Sequence, residues 1–142
     1  MKRFFIVNVK IEIQYVGTKF YGFQRQKKER TIQKEIELSL SRLIPDEKIT
    51  LTSCGRTDAG VHALMHVSNF RLKGELKIPI ENFCEALNSQ LPGDILCVNA
   101  EIVPYEFHSR FDAKKREYMY VIYNKEIMPP FYRRRAWNVK QK

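Results

Sequence analysis

The sequence predicts an α+β fold: one antiparallel sheet carrying two helices on the same face. Three observations lead there. Val7, Val9, Ile11, Ile13 and Tyr15 alternate with Asn8, Lys10, Glu12 and Gln14, the period of a half-buried strand. Two later stretches place apolar residues at helical spacing: Ile32, Ile36, Leu40 and Leu43, then Ile80, Phe83, Leu87 and Leu91. Further alternating runs follow each helix, so residues 5–103 read β-α-β-β-α-β. That order is the split βαβ unit, ferredoxin-like or RRM-like.

Taken in order, the first strand ends at Gly17. The loop Tyr15–Gln26 mixes aromatic, amide and basic groups, and Arg25, Lys27, Lys28 and Arg30 crowd its end. Aromatics interleaved with cations suit RNA, because rings stack on bases and cations meet phosphates. A packed aromatic turn beside a solvated charge run fits equally well. Thr31 is placed to cap the first helix, and Pro45-Asp46 closes it. Ile49, Leu51 and Ser53 predict a second strand, and a third resumes at about Met65 through Val67, Phe70 and Leu72. Pro79 suits the first turn of the second helix, and Pro92-Gly93 ends it. Ile95–Val103 reads as the fourth strand.

Pro104 marks a joint. Phe107–Ala113 reads as a loop, Arg116–Asn124 as a strand with tyrosines on both faces, and Pro129-Pro130 as a break. One strand and a loop form no core of their own. The expected organisation is a first domain over residues 1–104 and, over 105–142, the opening of a second domain whose remainder is absent.

At 142 residues, with 44% hydrophobic and 29% charged side chains, the composition is that of an ordinary globular protein. No apolar run approaches the roughly 20 residues of a membrane span. Met1–Lys10 imitates a signal peptide, but its apolar part is short and broken by Asn8 and Lys10. The expectation is a cytoplasmic protein without a membrane partner. Cys54, Cys84 and Cys97 are an odd number without a C-x-x-C pair, which argues against a disulfide framework and a zinc knuckle. Net charge is +9 and unevenly placed: residues 1–104 carry 15 basic and 12 acidic side chains, residues 105–142 carry 10 and 4. A basic surface attracts phosphate backbones, although a merely solvated basic face is common.

The chain is organised around Ser53–Ala63. Gly55 and Gly60 bracket Arg56, Thr57 and Asp58 between two strand-like runs. A loop so held points a carboxylate into a cleft, and Asp58 is the candidate, with Arg56 two residues away to keep it ionised. The plainer alternative is a turn in which Asp58 ties down its own backbone. A phosphate loop is rejected, because Val61-His62 stands where Lys-Ser/Thr is required. His62 and His66 are four apart, but in loop and strand rather than helix, so no metal site is expected. No serine or cysteine has a His and carboxylate array for acyl transfer.

The run Gly55-Arg56-Thr57-Asp58-Ala59-Gly60-Val61-His62-Ala63 resembles the active-site loop of the TruA family of tRNA pseudouridine synthases. The likeness extends along the chain. Tyr15–Gln26 resembles the family's aromatic loop, and Thr31-Ile32-Gln33 starts the same helix. Ala86-Leu87-Asn88 with Leu91-Pro92 and Asp94-Ile95 matches the second helix and its exit. Phe107–Phe111 and Arg116–Tyr120 match the entry to the second domain. Val16, Phe23 and Met65-His66 depart mildly from the family pattern.

The resemblance implies that Asp58 is the catalytic aspartate, that Arg56 helps bind RNA and hold the flipped-out state, and that Tyr118 stacks on the target uracil. Arg25, His108 and Arg110 are implied as RNA or supporting contacts. It further implies an incomplete second sheet domain of the pseudouridine synthase type. In the family, a C-terminal part that nothing here matches completes that sheet and supplies a basic partner for the aspartate. The implied activity is conversion of uridine to pseudouridine at positions 38–40 of the tRNA anticodon arm, by a homodimer and without a cofactor. The rival readings are a non-catalytic basic RNA-binding module and an inactive remnant. The uneven charge generates a first prediction. Neutralising Arg133, Arg134 and Arg135 weakens tRNA binding and flattens its salt dependence by about one unit per lost phosphate contact, read from affinities across a salt series.

Overall fold

The computed structural model describes residues 5–140. Met1–Phe4, part of the signal-like segment weighed above, lie outside the described residues. The elements are β1 (Ile6–Tyr15), α1 (Ile32–Leu43), β2 (Thr52–Ser53), β3 (Ala63–Lys73), α2 (Ile80–Asn88), β4 (Ile95–Val103), β5 (Ile122–Tyr123) and β6 (Trp137–Asn138). The first four strands form one antiparallel sheet in the order β2-β3-β1-β4. This is the expected split βαβ arrangement, with the first strand central.

The alternation in β1 decides which face is which. Val9, Ile11, Ile13 and Tyr15 are buried with Phe70 and Leu72 of β3, Ile95 and Cys97 of β4, Ile32, Ile36 and Leu40 of α1, and Phe83 and Leu87 of α2. Both helices therefore cover one face. Thr31 caps α1 by accepting a hydrogen bond from Lys34 N–H at 3.3 Å. Pro79 stands one position earlier than expected, at the N-cap of α2, which ends at Asn88 rather than running to Leu91.

The second strand is shorter than its alternation suggests, pairing only over Thr52–Ser53. The reason lies in α1. Glu37 is almost fully buried, and its carboxylate accepts the Leu51 N–H at 3.0 Å and the Gln33 amide at 2.9 Å. Arg25 completes the arrangement with an ion pair at 2.8 Å. A side chain thus takes the backbone donor of Leu51. The third strand starts two residues earlier than expected. It bulges between the pairs Ile13↔His66 and Tyr15↔Ala63, which leaves Leu64 and Met65 exposed.

The opposite sheet face receives the chain after Pro104 through polar residues of β1 and β3. Asn8 donates to the carbonyls of Pro104 at 3.0 Å and Phe107 at 2.9 Å. Asn69 donates to Asn8 Oδ1 at 2.9 Å and accepts the Ser109 N–H at 2.9 Å. The Ser109 hydroxyl donates to the Thr52 carbonyl at 2.9 Å. Beyond this clamp the expected strand over Arg116–Asn124 is reduced to Ile122–Tyr123, paired in parallel with Trp137–Asn138. A two-residue ladder buries little: Tyr123 stacks on Tyr132 with ring centroids 5.6 Å apart, but Tyr118 and Tyr120 stand exposed.

The clamp makes a prediction. Asn69→Ala strips the buried Ser109 N–H of its acceptor and removes the bond to Asn8. It costs about 1–3 kcal/mol in urea unfolding and speeds proteolytic cleavage within residues 105–112.

Candidate active site

Asp58 sits at the apex of a loop that is fixed from below by backbone. Phe23 N–H donates to the Thr57 carbonyl at 3.0 Å, and Gly60 N–H donates to the Phe20 carbonyl at 3.3 Å. Val61 N–H closes the turn onto the Asp58 carbonyl at 3.2 Å. The two segments approach so closely that side chains are excluded. A Cβ on Gly17 would lie 1.9 Å from the Val61 carbonyl oxygen, and one on Gly22 would lie 2.9 Å from the Thr57 oxygen. Gly22 also has φ +86°, a left-handed conformation that favours glycine. His62 adds a side-chain tie. Its Nδ1 accepts the Gly17 N–H at 2.9 Å, which puts the ring hydrogen on Nε2, and Nε2 donates to the Arg134 carbonyl at 2.7 Å.

Beneath the loop lies a small buried polar group. The Tyr15 hydroxyl bonds Thr57 Oγ1 at 2.7 Å, and His66 stacks on Phe23 with ring centroids 4.4 Å apart. Burial raises the Tyr15 phenol to about 12 against the opposing effect of the Thr57 bond. Burial likewise pushes His66 down from 6.5 to about 4, with the Gly55 carbonyl pulling weakly the other way. The His66 Nδ1 lies 3.5 Å from the Tyr15 hydroxyl, and among the described residues Nε2 has no hydrogen-bond partner. The two histidines thus serve separate purposes, one tying backbone and one packed in the core.

The Asp58 side chain is exposed. Among the described residues its carboxylate makes no hydrogen bond or ion pair, so it neither ties down its own backbone nor pairs with Arg56. It opens on a cleft of about 370 Å³ lined by Tyr21, Gly22, Phe23, Gln24, Gln26 and Arg56–Ala59. A second cleft of about 520 Å³ adjoins it across Phe23, Gln24 and Arg56, and its far wall includes His108, Arg110, Phe111 and Arg116.

Of the candidates from sequence, Asp58 and Arg56 share the first cleft, while Arg56, His108 and Arg110 share the second. Two do not join them. Arg25 turns to the buried Glu37, and Tyr118 lines neither cleft and is 75% exposed. Arg116 passed unremarked in the sequence except as part of a motif. Its guanidinium donates to the carbonyls of Cys54 at 2.9 Å and Arg110 at 3.3 Å, joining the Asp58 loop to the segment after Pro104. Backbone acceptors leave no mark in a sequence, so nothing there could have found this role. The Tyr15–Thr57 bond was equally hidden, since the two residues are 42 positions apart.

Comparison with known proteins points the same way as the loop. A family model described as tRNA pseudouridine synthase matches residues 11–112. A protein named tRNA pseudouridine synthase A from Brachyspira hyodysenteriae is 48% identical over 130 residues, which is 92% of this chain and 51% of the relative. One of the same name from Dictyoglomus thermophilum is 46% identical over 132 residues, 93% and 54% of the two chains. Another from Clostridium acetobutylicum is 47% identical over 118 residues, 83% and 47%. The chain spans about half the length of the curated relatives it matches.

The buried imidazole generates a pH prediction. Above about pH 6.5 the His66 ring is neutral folded or unfolded, and its contribution is complete. As the pH falls from 6.5 towards 4, the unfolded chain binds a proton that the folded chain does not. Stability is then lost, by about 1.4 kcal/mol per pH unit and roughly 3 kcal/mol in all. Thermal melts at pH 7 and pH 4.5 therefore diverge, and His66→Phe, which keeps the stack on Phe23, narrows the gap.

Proposed function

The chain belongs to the tRNA pseudouridine synthase family, and from that premise we propose that it is the Asp58-bearing part of an enzyme that isomerises uridine to pseudouridine in tRNA. The observation that carries the proposal is an exposed carboxylate with no partner among the described residues, on a loop whose backbone is locked on both sides, at the mouth of a cleft. A carboxylate positioned in that way at no structural benefit of its own is available for a substrate.

The reaction breaks the bond between uracil N1 and ribose C1′, turns the base and joins C5 to C1′. C5 gives up its proton and N1 gains one. There is no redox change and no group acceptor, so the reaction calls for no cofactor. Asp58 acts either by attacking C1′ or by removing the C2′ proton. The target nucleotide leaves its stack to reach the carboxylate. Arg56, standing between the two clefts, holds phosphate on either side of it. Stacking by Tyr118 on the uracil requires its stretch to be brought from the surface to the Asp58 cleft.

The same proposal takes positions 38–40 of the anticodon arm as the target, a homodimer as the working form and the cytoplasm as its location. A non-catalytic RNA-binding module is the weaker reading. A bare carboxylate facing approaching phosphates repels them, and a pure binder gains nothing from it.

The test joins residues 1–140 to the remaining half of a curated relative and assays tRNA for pseudouridine. The unaltered chimera converts uridine in the anticodon arm. Asp58→Asn abolishes conversion, while affinity for the tRNA falls little or rises. Turnover retained in the mutant overturns the assignment.

A further inference from the structure

The larger cleft beside Asp58 has no part in the chemistry proposed above, yet it is built as a binding site. We propose that it is a subsite for the nucleotide adjoining the target in a single-stranded stretch of RNA, the base stacking on Phe111 and the phosphate lying between Arg56 and Arg110. The inference rests on the preceding reading that RNA occupies the Asp58 cleft.

The Phe111 ring is 77% exposed although it stands in an ordered turn. One face is backed by the His108 ring, with centroids 4.1 Å apart and planes 23° apart, and the Arg110 guanidinium stands 5.9 Å from the ring centroid, a cation already beside the platform. The turn is fixed by hydrogen bonds of its own. Asp112 accepts the His108 N–H at 2.7 Å, and His108 Nδ1 faces the N–H groups of Arg110 and Phe111 at 3.3 and 3.2 Å. The clamp through Ser109 and Asn69 seats the turn on the sheet. An aromatic platform set before the ligand arrives loses little freedom on binding. Bases of single-stranded RNA are recognised by stacking on such rings.

The surrounding charge agrees. Among the described residues no carboxylate lines the cleft, and three arginines do. Arg116 is occupied by the carbonyls of Cys54 and Arg110, so it braces the walls. Among the described residues, Arg56 and Arg110 have no ion-pair partner and are free for an anion. Gln24 offers an amide to a base edge from the wall shared with the Asp58 cleft. A volume of about 520 Å³ lies within the roughly 300–1,000 Å³ of ligand clefts. The shared wall makes the occupant a neighbour of the target nucleotide rather than a separate molecule.

The probe is a fluorescein-labelled anticodon stem-loop RNA with one target uridine, titrated against the 142-residue chain by anisotropy. Phe111→Ala weakens binding at least about fivefold without changing the salt slope, and Phe111→Trp retains affinity. Arg110→Gln lowers the slope by about 0.7. An abasic residue beside the target uridine, on the 5′ or the 3′ side, weakens binding to the unaltered chain but adds nothing to the loss in Phe111→Ala. Phe111 is exposed, so its replacement leaves the fold intact, and the Trp variant verifies that. If the unaltered chain binds and Phe111→Ala binds equally well, or if both abasic penalties persist in full in that variant, the subsite is overturned and the parent reading stands. If the unaltered chain does not bind the stem-loop, the RNA reading falls and the subsite with it.

Discussion

Everything at the candidate site depends on one backbone-to-backbone contact, that of Gly17–Phe23 with Thr57–His62. The carbonyl of Val61 occupies the space a Cβ on Gly17 would need, and the carbonyl of Thr57 crowds the same place on Gly22. Each hydrogen bond across the contact adds only about 1 kcal/mol net. Their geometric effect is larger, because two loops from distant parts of the chain become one rigid body. Among the described residues the Asp58 carboxylate makes no hydrogen bond or ion pair, so its position is inherited from this body. A carboxylate held within a few tenths of an ångström retains its catalytic value, whereas a shift of about 1 Å forfeits much of it.

The polar residues divide by burial into two kinds of work. Glu37, Asn8, Asn69 and His66 are buried, and each but His66 satisfies backbone or side-chain donors or acceptors that would otherwise be stranded. Asp58, Arg56 and Arg110 are exposed and left unpaired among the described residues. Charge alone does not assign a residue to either kind. Arg25 lies in the basic run that suggested RNA, yet its guanidinium meets Glu37 and offsets a buried negative charge. Arg116 is likewise a cation turned to structural use. The electrostatic reading of a basic chain therefore has to be made after the internal pairs are taken away.

The segment after Pro104 is joined to the first sheet by hydrogen bonds rather than by apolar packing. Asn8 and Asn69 stand on the face of β1 and β3 turned away from the helices, where alternation puts polar residues in any case, and the chain after Pro104 buries them. Their amides reach carbonyls and N–H groups of Pro104, Phe107 and Ser109, and so the open sheet face carries the turn that holds His108, Arg110 and Phe111. Farther along, Tyr118, Met119, Tyr120, Phe131 and Trp137 remain at the surface because two paired residues per strand bury almost nothing.

The sequence by itself determined the order of the elements, the buried face of β1, the cap at Thr31 and the loop on which Asp58 stands. These are local matters: a period of two or 3.6 residues, a capping hydroxyl and a pair of turn glycines all act within a few positions. It did not determine where β2 starts, since the donor of Leu51 is taken by Glu37, 14 positions away. Nor did it show that Tyr15 supports Thr57, that Arg116 braces Cys54, or that the strand around Tyr118 fails to form. Those outcomes turn on which groups meet across 14 to 62 positions, and on whether a strand finds partners, and no local pattern encodes either. Tertiary structure decided them because every buried donor and acceptor must find a mate, and the mate is set by the fold as a whole.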